Sequence, residues 1–215
     1  MNSKPVIILG TGGHAKVVTD ALKLSGRKIV GFITLDMVAG SYFCDEKILG
    51  NDSEITKYLP DEIELINGVG ALPGKSLRWE LADKMRKQDY SFATVIHPTA
   101  VIASDVILEE GVQIMAGAVI QAGTKIGKDS IINTGTLIDH DCKIYENCQI
   151  SPGVVLSGGV IVEKNSYIGT GAKIIQYITL KEECVVAAGA IIYKDVSSKT
   201  IVRQKLNTVL EEKFT

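Results

Sequence analysis

The sequence of 215 residues predicts an α/β domain over residues 1–92, an all-β parallel β-helix over 93–196 and a C-terminal tail over 197–215. A six-residue repeat of aliphatic side chains runs through the second unit. Strand patterns alternate with helix patterns in the first. Aromatic residues make up only 6% of the chain while glycine occurs 21 times, which is typical of tightly turning β-structure.

The repeat is the strongest of these observations. Every sixth residue from Ile96 to Ile192 is Ile, Leu or Val. Four positions after each lies a second track of mostly small residues, from Val106 to Ala190. A period of six fits neither a flat strand nor an α-helix. It predicts a three-sided coil of about 18 residues, stacked on its neighbours by parallel strand pairing. The track supplies a little over five such coils.

Three of the four cysteines lie on the small inward track. Cys142, Cys148 and Cys184 are therefore predicted to be compact apolar filler. Their spacing matches no zinc pattern, so no metal site is predicted. Cys44 lies in a predicted loop.

The first unit begins with the strand PVIIL, a glycine loop at residues 10–15 and the helix AKVVTDALKLSG, with Gly26 as its stop. The strand KIVGFI, a loop and the strand ELING follow, and then the helix SLRWELADKMRKQ and the strand SFATVI. This alternation predicts a small parallel sheet, a Rossmann-like half domain.

The glycine loop matches the pattern G-x-G-x-x-A, and Asp36 follows it at about the distance that a dinucleotide-binding fingerprint requires. The domain is nevertheless only a mononucleotide-sized half. Glycines at a helix N-terminus let backbone amides approach a phosphate, so a nucleotide-linked substrate is the better inference. A tight turn without a ligand is the alternative.

The chain has three histidines, and histidine is the commonest general base. His97 precedes a proline at the start of the coils and is predicted to be structural. His140 lies at an outward corner two positions after an inward isoleucine. Its neighbours 18 residues away are Ala122 and Gly158, and small residues there leave room for two substrates to meet at the imidazole.

Charge and hydropathy exclude several classes of function. The net charge is -2 and no run of like charge predicts a nucleic-acid surface. No apolar stretch reaches the roughly 20 residues of a membrane span. The opening residues lack a signal-peptide pattern. A soluble, cytoplasmic protein is expected.

A glycine loop GTGGHA, joined through IHPTAVI to an uninterrupted hexapeptide track containing NTGTLIDHD, resembles one family over nearly the whole chain. This is the family of bacterial sugar acetyltransferases. It includes the sialic acid O-acetyltransferase type and the N-acetyltransferases of nucleotide-linked 4-amino sugars in bacillosamine and perosamine synthesis. The resemblance implies a left-handed β-helix, acetyl-CoA as co-substrate and a nucleotide-linked 4-amino-4,6-dideoxy sugar as acceptor.

The resemblance also implies site residues. His140 would be the catalytic base, Asp141 its supporting acid and Asn133 a nearby polar group. Acceptor contacts are expected at Gly12, Gly13, His14, Thr34, Asp36 and Gly70. Acetyl-CoA contacts are expected at Gln149, Gly158, Thr170, Gly171, Ala188 and Gly189. Lys173 and Lys194 are candidate phosphate partners. The family often has two acids near Asp36 and a second histidine at Gln149, and this sequence departs from it at both places.

A homotrimer is also expected, because the coil is too narrow to enclose a site and a groove between neighbouring prisms is the natural pocket. Three alternatives stay open. The acceptor atom could be a hydroxyl of sialic acid or a related sugar. The glycine loop could bind NAD in an oxidoreductase. The coils could form a non-catalytic scaffold or a carbohydrate-binding module.

Overall fold

The computed structural model describes residues 4–204, and it has the two units that the sequence predicts. The first contains a five-stranded sheet in the order β3-β4-β2-β1-β5. The strands are β1 (Val6–Leu9), β2 (Ile29–Ile33), β3 (Tyr42–Phe43), β4 (Glu46–Gly50) and β5 (Glu64–Asn67). The helices are α1 (Gly13–Leu24), α2 (Leu77–Arg86) and a 3-10 helix (Asp52–Lys57).

The central strand β1 is VIIL, and all four residues are buried. It pairs in parallel with β2 and β5, because the helices that connect these strands cover both faces of the sheet. Gly26 follows α1 with a φ of +69°, the left-handed conformation that ends many helices.

Residues 42–50 form a β-hairpin where the sequence predicts only a loop. Strand β3 pairs antiparallel with β4, and Cys44 and Asp45 between them both have positive φ. Two positive φ values are the requirement of the tight hairpin turns that match strand twist.

The second unit is a three-sided parallel β-helix. We name its sheets the docked face, the apolar face and the lysine face. The docked face has strands Val95–Ile96, Gln113–Ile114, Ile131–Ile132, Gln149–Ile150, Tyr167–Ile168, Val185–Val186 and Ile201–Val202. The apolar face has Val101–Ile102, Val119–Ile120, Leu137–Ile138, Val155–Leu156, Lys173–Ile174 and Ile191–Ile192. The lysine face has Ile107–Leu108, Lys125–Ile126, Lys143–Ile144, Ile161–Val162 and Thr179–Leu180.

Neighbouring strands in each sheet are 18 residues apart for most of its length, as in the pairing of Leu137 with Val119 and Val155. The second residue of each strand points inward and the first outward. The inward aliphatic side chains form one continuous core from Ile114 to Ile192. The three predicted filler cysteines are buried in or against this core, and burial raises the pKa of Cys142 to about 11 and that of Cys148 to about 12.

The β-helix continues beyond residue 196. Ile201–Val202 pair with Val185–Val186 on the docked face, although the sequence analysis assigned these residues to a tail. The six-residue track does not reach this strand. The remainder of the expected tail, residues 205–215, lies outside the described residues.

The α/β domain packs against the first coils of the docked face. Arg86 of α2 forms a paired contact with Asp129, at 2.7 and 3.0 Å, and a further bond to Glu110 at 3.1 Å. Asp129 is buried, so this guanidinium neutralises a carboxylate that solvent cannot reach. This ion pair and the packing of α1 against Val95–Ile96 fix the domain on one side of the prism.

Candidate active site

The predicted acceptor residues come together at the carboxyl ends of β1, β2 and β5. Helix α1 begins at Gly13, and its N-cap residue Gly12 provides no side-chain cap. A Cβ at either glycine would meet nothing within 4 Å. The first-turn amides of α1 therefore face open space, the arrangement that binds phosphate at a helix N-terminus.

Thr34 connects this loop to the end of β2. The hydroxyls of Thr11 and Thr34 lie 3.2 Å apart, and Thr34 Oγ1 accepts a hydrogen bond from the backbone N–H of Asp36. Asp36 itself is exposed. A cleft of about 350 Å³ opens beside Thr34, between the residues after β2 and the end of β4. Its size and position suit one ring system of a nucleotide.

His14, in the first turn of α1, is half-buried. Its Nε2 lies 2.6 Å from Oε1 of Gln113 on the docked face. A Cβ at Gly70 would lie 3.5 Å from Cβ of His14, which places the loop after β5 beside the ring. Burial and the nearby Arg78 lower the pKa of His14 to about 4, although the bond to Gln113 opposes them. This imidazole is neutral at physiological pH.

His140 and Asp141 form a pair at the edge between the apolar and lysine faces, which we name the His140 edge (residues 139–142 and the corners stacked on them). His140 Nδ1 lies 2.8 Å from Oδ2 of Asp141. An ionised carboxylate only accepts, so Nδ1 carries the proton and the lone pair is on Nε2. The hydrogen bond with Asp141 and the charge of Asp139 raise the pKa of His140, and both side chains of the pair are exposed.

Gly158 lies directly above the ring of His140. A Cβ there would be 2.6 Å from both Cε1 and Nε2, closer than real contacts allow. Gly123 gives similar room to Asp141, because a Cβ there would lie 2.5 Å from Oδ1. Asp141 has a φ of 59°, the left-handed conformation that aspartate tolerates better than most residues. Two glycines and one special conformation thus hold the pair.

Asn133 does not lie beside His140 within one chain. It occupies the edge between the docked and apolar faces, which we name the Asn133 edge (residues 133–136 and the corners stacked on them), where its Oδ1 accepts from the backbone N–H of Thr134. The other expected cofactor residues on this edge form a column two coils above it: Thr170, Gly171, Ala188 and Gly189. The apolar face separates the two edges.

Gln149 lies elsewhere again. It is buried on the docked face and lines a cleft of about 510 Å³ with the loop that precedes α2. Lys173 projects from the apolar face and Lys194 lines a cleft at the end of the coils. Within one chain, these residues do not join the His140 pair.

His14 and His140 are on opposite sides of the prism. The α/β domain holds His14 against the docked face, and in a three-sided coil the His140 edge is the one opposite that face. A single chain therefore cannot bring both imidazoles to one ligand.

His97, the third histidine, is buried. Its Nδ1 accepts from the backbone N–H of Thr99 at 3.1 Å. These contacts agree with the structural role that the sequence predicts.

Within residues 4–204, no group of three or more His, Cys, Asp or Glu side chains is arranged to hold a metal ion. No helix in that part of the chain is long and apolar enough to cross a membrane.

Sequence reasoning missed the residues behind His14. Gln113, Asn67 and Arg78 are all buried and hydrogen-bonded to one another. One signal existed for Gln113, because it is a polar residue at an outward strand position of a mostly aliphatic face. Nothing in the sequence marked Arg78, which is one charged residue among many in α2.

Residues 5–85 match the PglD N-terminal domain, residues 105–140 match the bacterial transferase hexapeptide (six repeats), and residues 159–194 match the hexapeptide repeat of succinyl-transferase. A relative from Bacillus subtilis, UDP-N-acetylbacillosamine N-acetyltransferase, is 32% identical over 116 residues. That match covers 53% of this chain and 52% of the relative, about half the length of each.

Solved structures give longer matches. Perosamine N-acetyltransferase from Caulobacter crescentus, in complex with CoA and GDP-perosamine, is 32% identical with a TM-score of 0.84, covering 92% of both chains. The acetyltransferase domain of PglB from Neisseria gonorrhoeae, in complex with acetyl coenzyme A, is 29% identical with a TM-score of 0.83. It covers 90% of this chain and 93% of that one.

The fold and the exposed His–Asp pair define an acyltransferase built on a left-handed β-helix. More narrowly, the chain belongs to the family of hexapeptide-repeat sugar acetyltransferases with a PglD-type N-terminal domain.

Proposed function

We propose that the protein transfers the acetyl group of acetyl-CoA directly to the amino group of a nucleotide-linked 4-amino-4,6-dideoxy sugar in the cytoplasm. The observation that carries this proposal is the His140–Asp141 pair, whose free Nε2 faces the space beneath Gly158. The relatives named for bacillosamine and perosamine derivatives support the acceptor class, and those solved with CoA or acetyl-CoA support the donor.

In the proposed reaction, the amine nitrogen attacks the thioester carbonyl while His140 Nε2 removes a proton from that nitrogen. The new C–N bond forms before the C–S bond breaks, and the leaving thiolate takes the proton back from the imidazolium. Asp141 keeps the other ring proton on Nδ1 and stabilises the imidazolium, as the acid does in a catalytic triad. No enzyme nucleophile is needed because the thioester is already activated.

The acceptor is proposed to lie over the carboxyl ends of β1, β2 and β5. Its diphosphate would bind the uncapped amides at Gly12 and Gly13, and its nucleoside would enter the cleft beside Thr34 and Asp36. Gly70 and His14 would then border the sugar.

A homotrimer would complete the site. Five of the six outward positions on the apolar face are aliphatic, and three are substantially exposed in a single chain: Val101, Leu137 and Ile191. If three copies turn this face to a common axis, three-fold symmetry brings the His140 edge of one chain to the Asn133 edge of the next. The column of Thr170 and Gly171 lies on that second edge, and the α/β domain of the same chain borders it. The shared groove would then hold both substrates.

The test is an assay of acetyl-CoA against a panel of UDP-, GDP- and dTDP-linked 4-amino sugars, each with its 4-hydroxy counterpart. Release of free CoA thiol and the mass of the product are measured. We expect N-acetylation of one amino sugar, and we expect His140→Asn to lose about a hundred- to ten-thousand-fold in turnover while still binding acetyl-CoA. Acetylation of the hydroxy counterparts alone would replace the proposal with O-acetylation. Micromolar NAD binding at the glycine loop would favour an oxidoreductase.

A further inference from the structure

The side chain of Gln113 connects the β-helix to the acceptor loop through hydrogen bonds at both of its ends. Its Nε2 donates to the backbone carbonyl of Asn67 at 2.9 Å, and its Oε1 faces Nε2 of His14 at 2.6 Å. Because a carbonyl can only accept, the amide nitrogen must face Asn67 and the amide oxygen must face His14. His14 therefore carries its proton on Nε2.

The orientation of Gln113 is itself fixed from behind. Arg78 Nη1 donates to the carbonyls of Asn67 and Val69, at 2.8 and 2.6 Å. The side chain of Asn67 donates back to the carbonyl of Arg78 at 2.7 Å. Gln113, Asn67 and Arg78 are each at least 98% buried, so water does not compete for these bonds. The network has one consistent donor and acceptor assignment.

We propose that Gln113 is a positioning residue that holds His14 as the neutral Nε2–H tautomer, so that Nδ1 meets the acceptor only as a hydrogen-bond acceptor. Nδ1 makes no hydrogen bond within residues 4–204 and is not among their buried unpaired atoms. It is therefore open to a ligand above the loop. The role in acceptor binding rests on the proposed function, but the tautomer does not.

This arrangement selects for the chemistry of an amino sugar. An alkyl amine arrives protonated at neutral pH, and an ammonium group needs acceptors and is repelled by a cation. Arg78, behind the ring, is the charged side chain that acts on His14, and it opposes protonation of the ring. A neutral Nδ1 can receive an N–H of the acceptor where an imidazolium would repel it.

The tautomer is tested by ¹⁵N spectroscopy of the imidazole rings in the intact protein. Three histidines give three ring signals, and a His14→Asn variant assigns the one of interest. We expect a protonated Nε2 and an unprotonated Nδ1 that stay unchanged from pH 8 to about 5, because burial keeps the ring neutral. A Nδ1–H tautomer, or titration near the ordinary pKa of about 6.5, would overturn the proposal.

Two variants test Gln113 itself. Gln113→Leu removes the bond to Nε2, so the His14 signals should shift and KM for the amino sugar should rise about tenfold, with KM for acetyl-CoA unchanged. Gln113→Glu places a carboxylate against Nε2–H and raises the pKa of His14. Its KM for the amino sugar should rise steeply toward acidic pH and recover toward alkaline pH. A purely structural role would not produce that pH dependence.

Gln88→Glu is the matched control, because it adds the same charge at an exposed position of the α/β domain. It should behave as wild type. If Gln113→Leu leaves the His14 ring signals unchanged, Gln113 does not set the tautomer. If the ring signals behave as expected but no amino sugar is acetylated, the proposed function fails while the tautomer assignment stands.

Discussion

Replacing Gly158 by alanine tests the role of His140 without touching either member of the pair. The added Cβ would lie 2.6 Å from Cε1 and Nε2 of His140 and 3.2 Å from Cδ2. Gly158 does not have a positive φ, so alanine suits the backbone. Ordinary carbon contacts are about 3.5–4.0 Å, and the ring must therefore move by about 1 Å.

A displacement of about 1 Å at a catalytic group can cost about a hundredfold in rate, equivalent to about 2.7 kcal/mol of activation free energy. The His140 side chain is exposed and can turn outward into solvent. We therefore expect kcat to fall about a hundredfold while the free energy of unfolding changes by less than about 0.5 kcal/mol. Steady-state kinetics and urea unfolding measure the two quantities.

Gly117→Ala is the control with the opposite profile. Gly117 has a φ of +67° and open space where its Cβ would lie. Alanine there should cost about 1–2 kcal/mol of stability through the left-handed backbone and leave kcat unchanged. If Gly158→Ala kept near wild-type turnover, then either the ring position does not matter or His140 is not the base, and the mechanism would be wrong.

Three further predictions concern charge and burial. Asp141→Asn removes the carboxylate that raises the pKa of His140; the acidic limb of the kcat profile should move to lower pH and turnover should fall, whereas an unmoved limb would mean that Asp141 does not act on the base. Arg86→Ala leaves the buried carboxylate of Asp129 without its partner and should cost about 3–5 kcal/mol in urea unfolding; a loss below about 1 kcal/mol would match only an exposed pair. Thiol titration of the native protein should modify Cys44 alone and that of the denatured protein all four cysteines; rapid native reaction of a second thiol would contradict the sealed core.

The β-helix could be predicted from sequence because each of its determinants is local and repeats. Ile138 is inward because it belongs to a track of period six, and its burial confirms that assignment. The strand Ile201–Val202 escaped because the chain takes a longer path after Ile192 and the period fails there. The hairpin of β3 and β4 escaped because its turn residues, Cys44 and Asp45, lack the glycine that usually signals such a turn.

The candidate site was predictable to the same extent. The hexapeptide position of His140 predicts its outward direction and the small residue at Gly158, and both are present in the structure. The contact between His14 and Gln113 joins residues 99 apart in sequence. It depends on which face of the prism receives the α/β domain, and a repeat does not specify what docks on its outer surface. Periodicity therefore predicts orientation but not partnership.

The stacking of identical coils also makes the height of His140 above the acceptor domain a matter of counting. Each coil rises by one strand spacing, about 4.8 Å. Inserting one additional hexapeptide coil of 18 residues between Gln113 and His140 would leave the inward track intact, yet it would raise every imidazole by that rise relative to every α/β domain. Chain length between these two points thus specifies the size of sugar that can span from the phosphate-binding loop to the base, and lineages could change acceptor size by gaining or losing whole coils without redesigning a core.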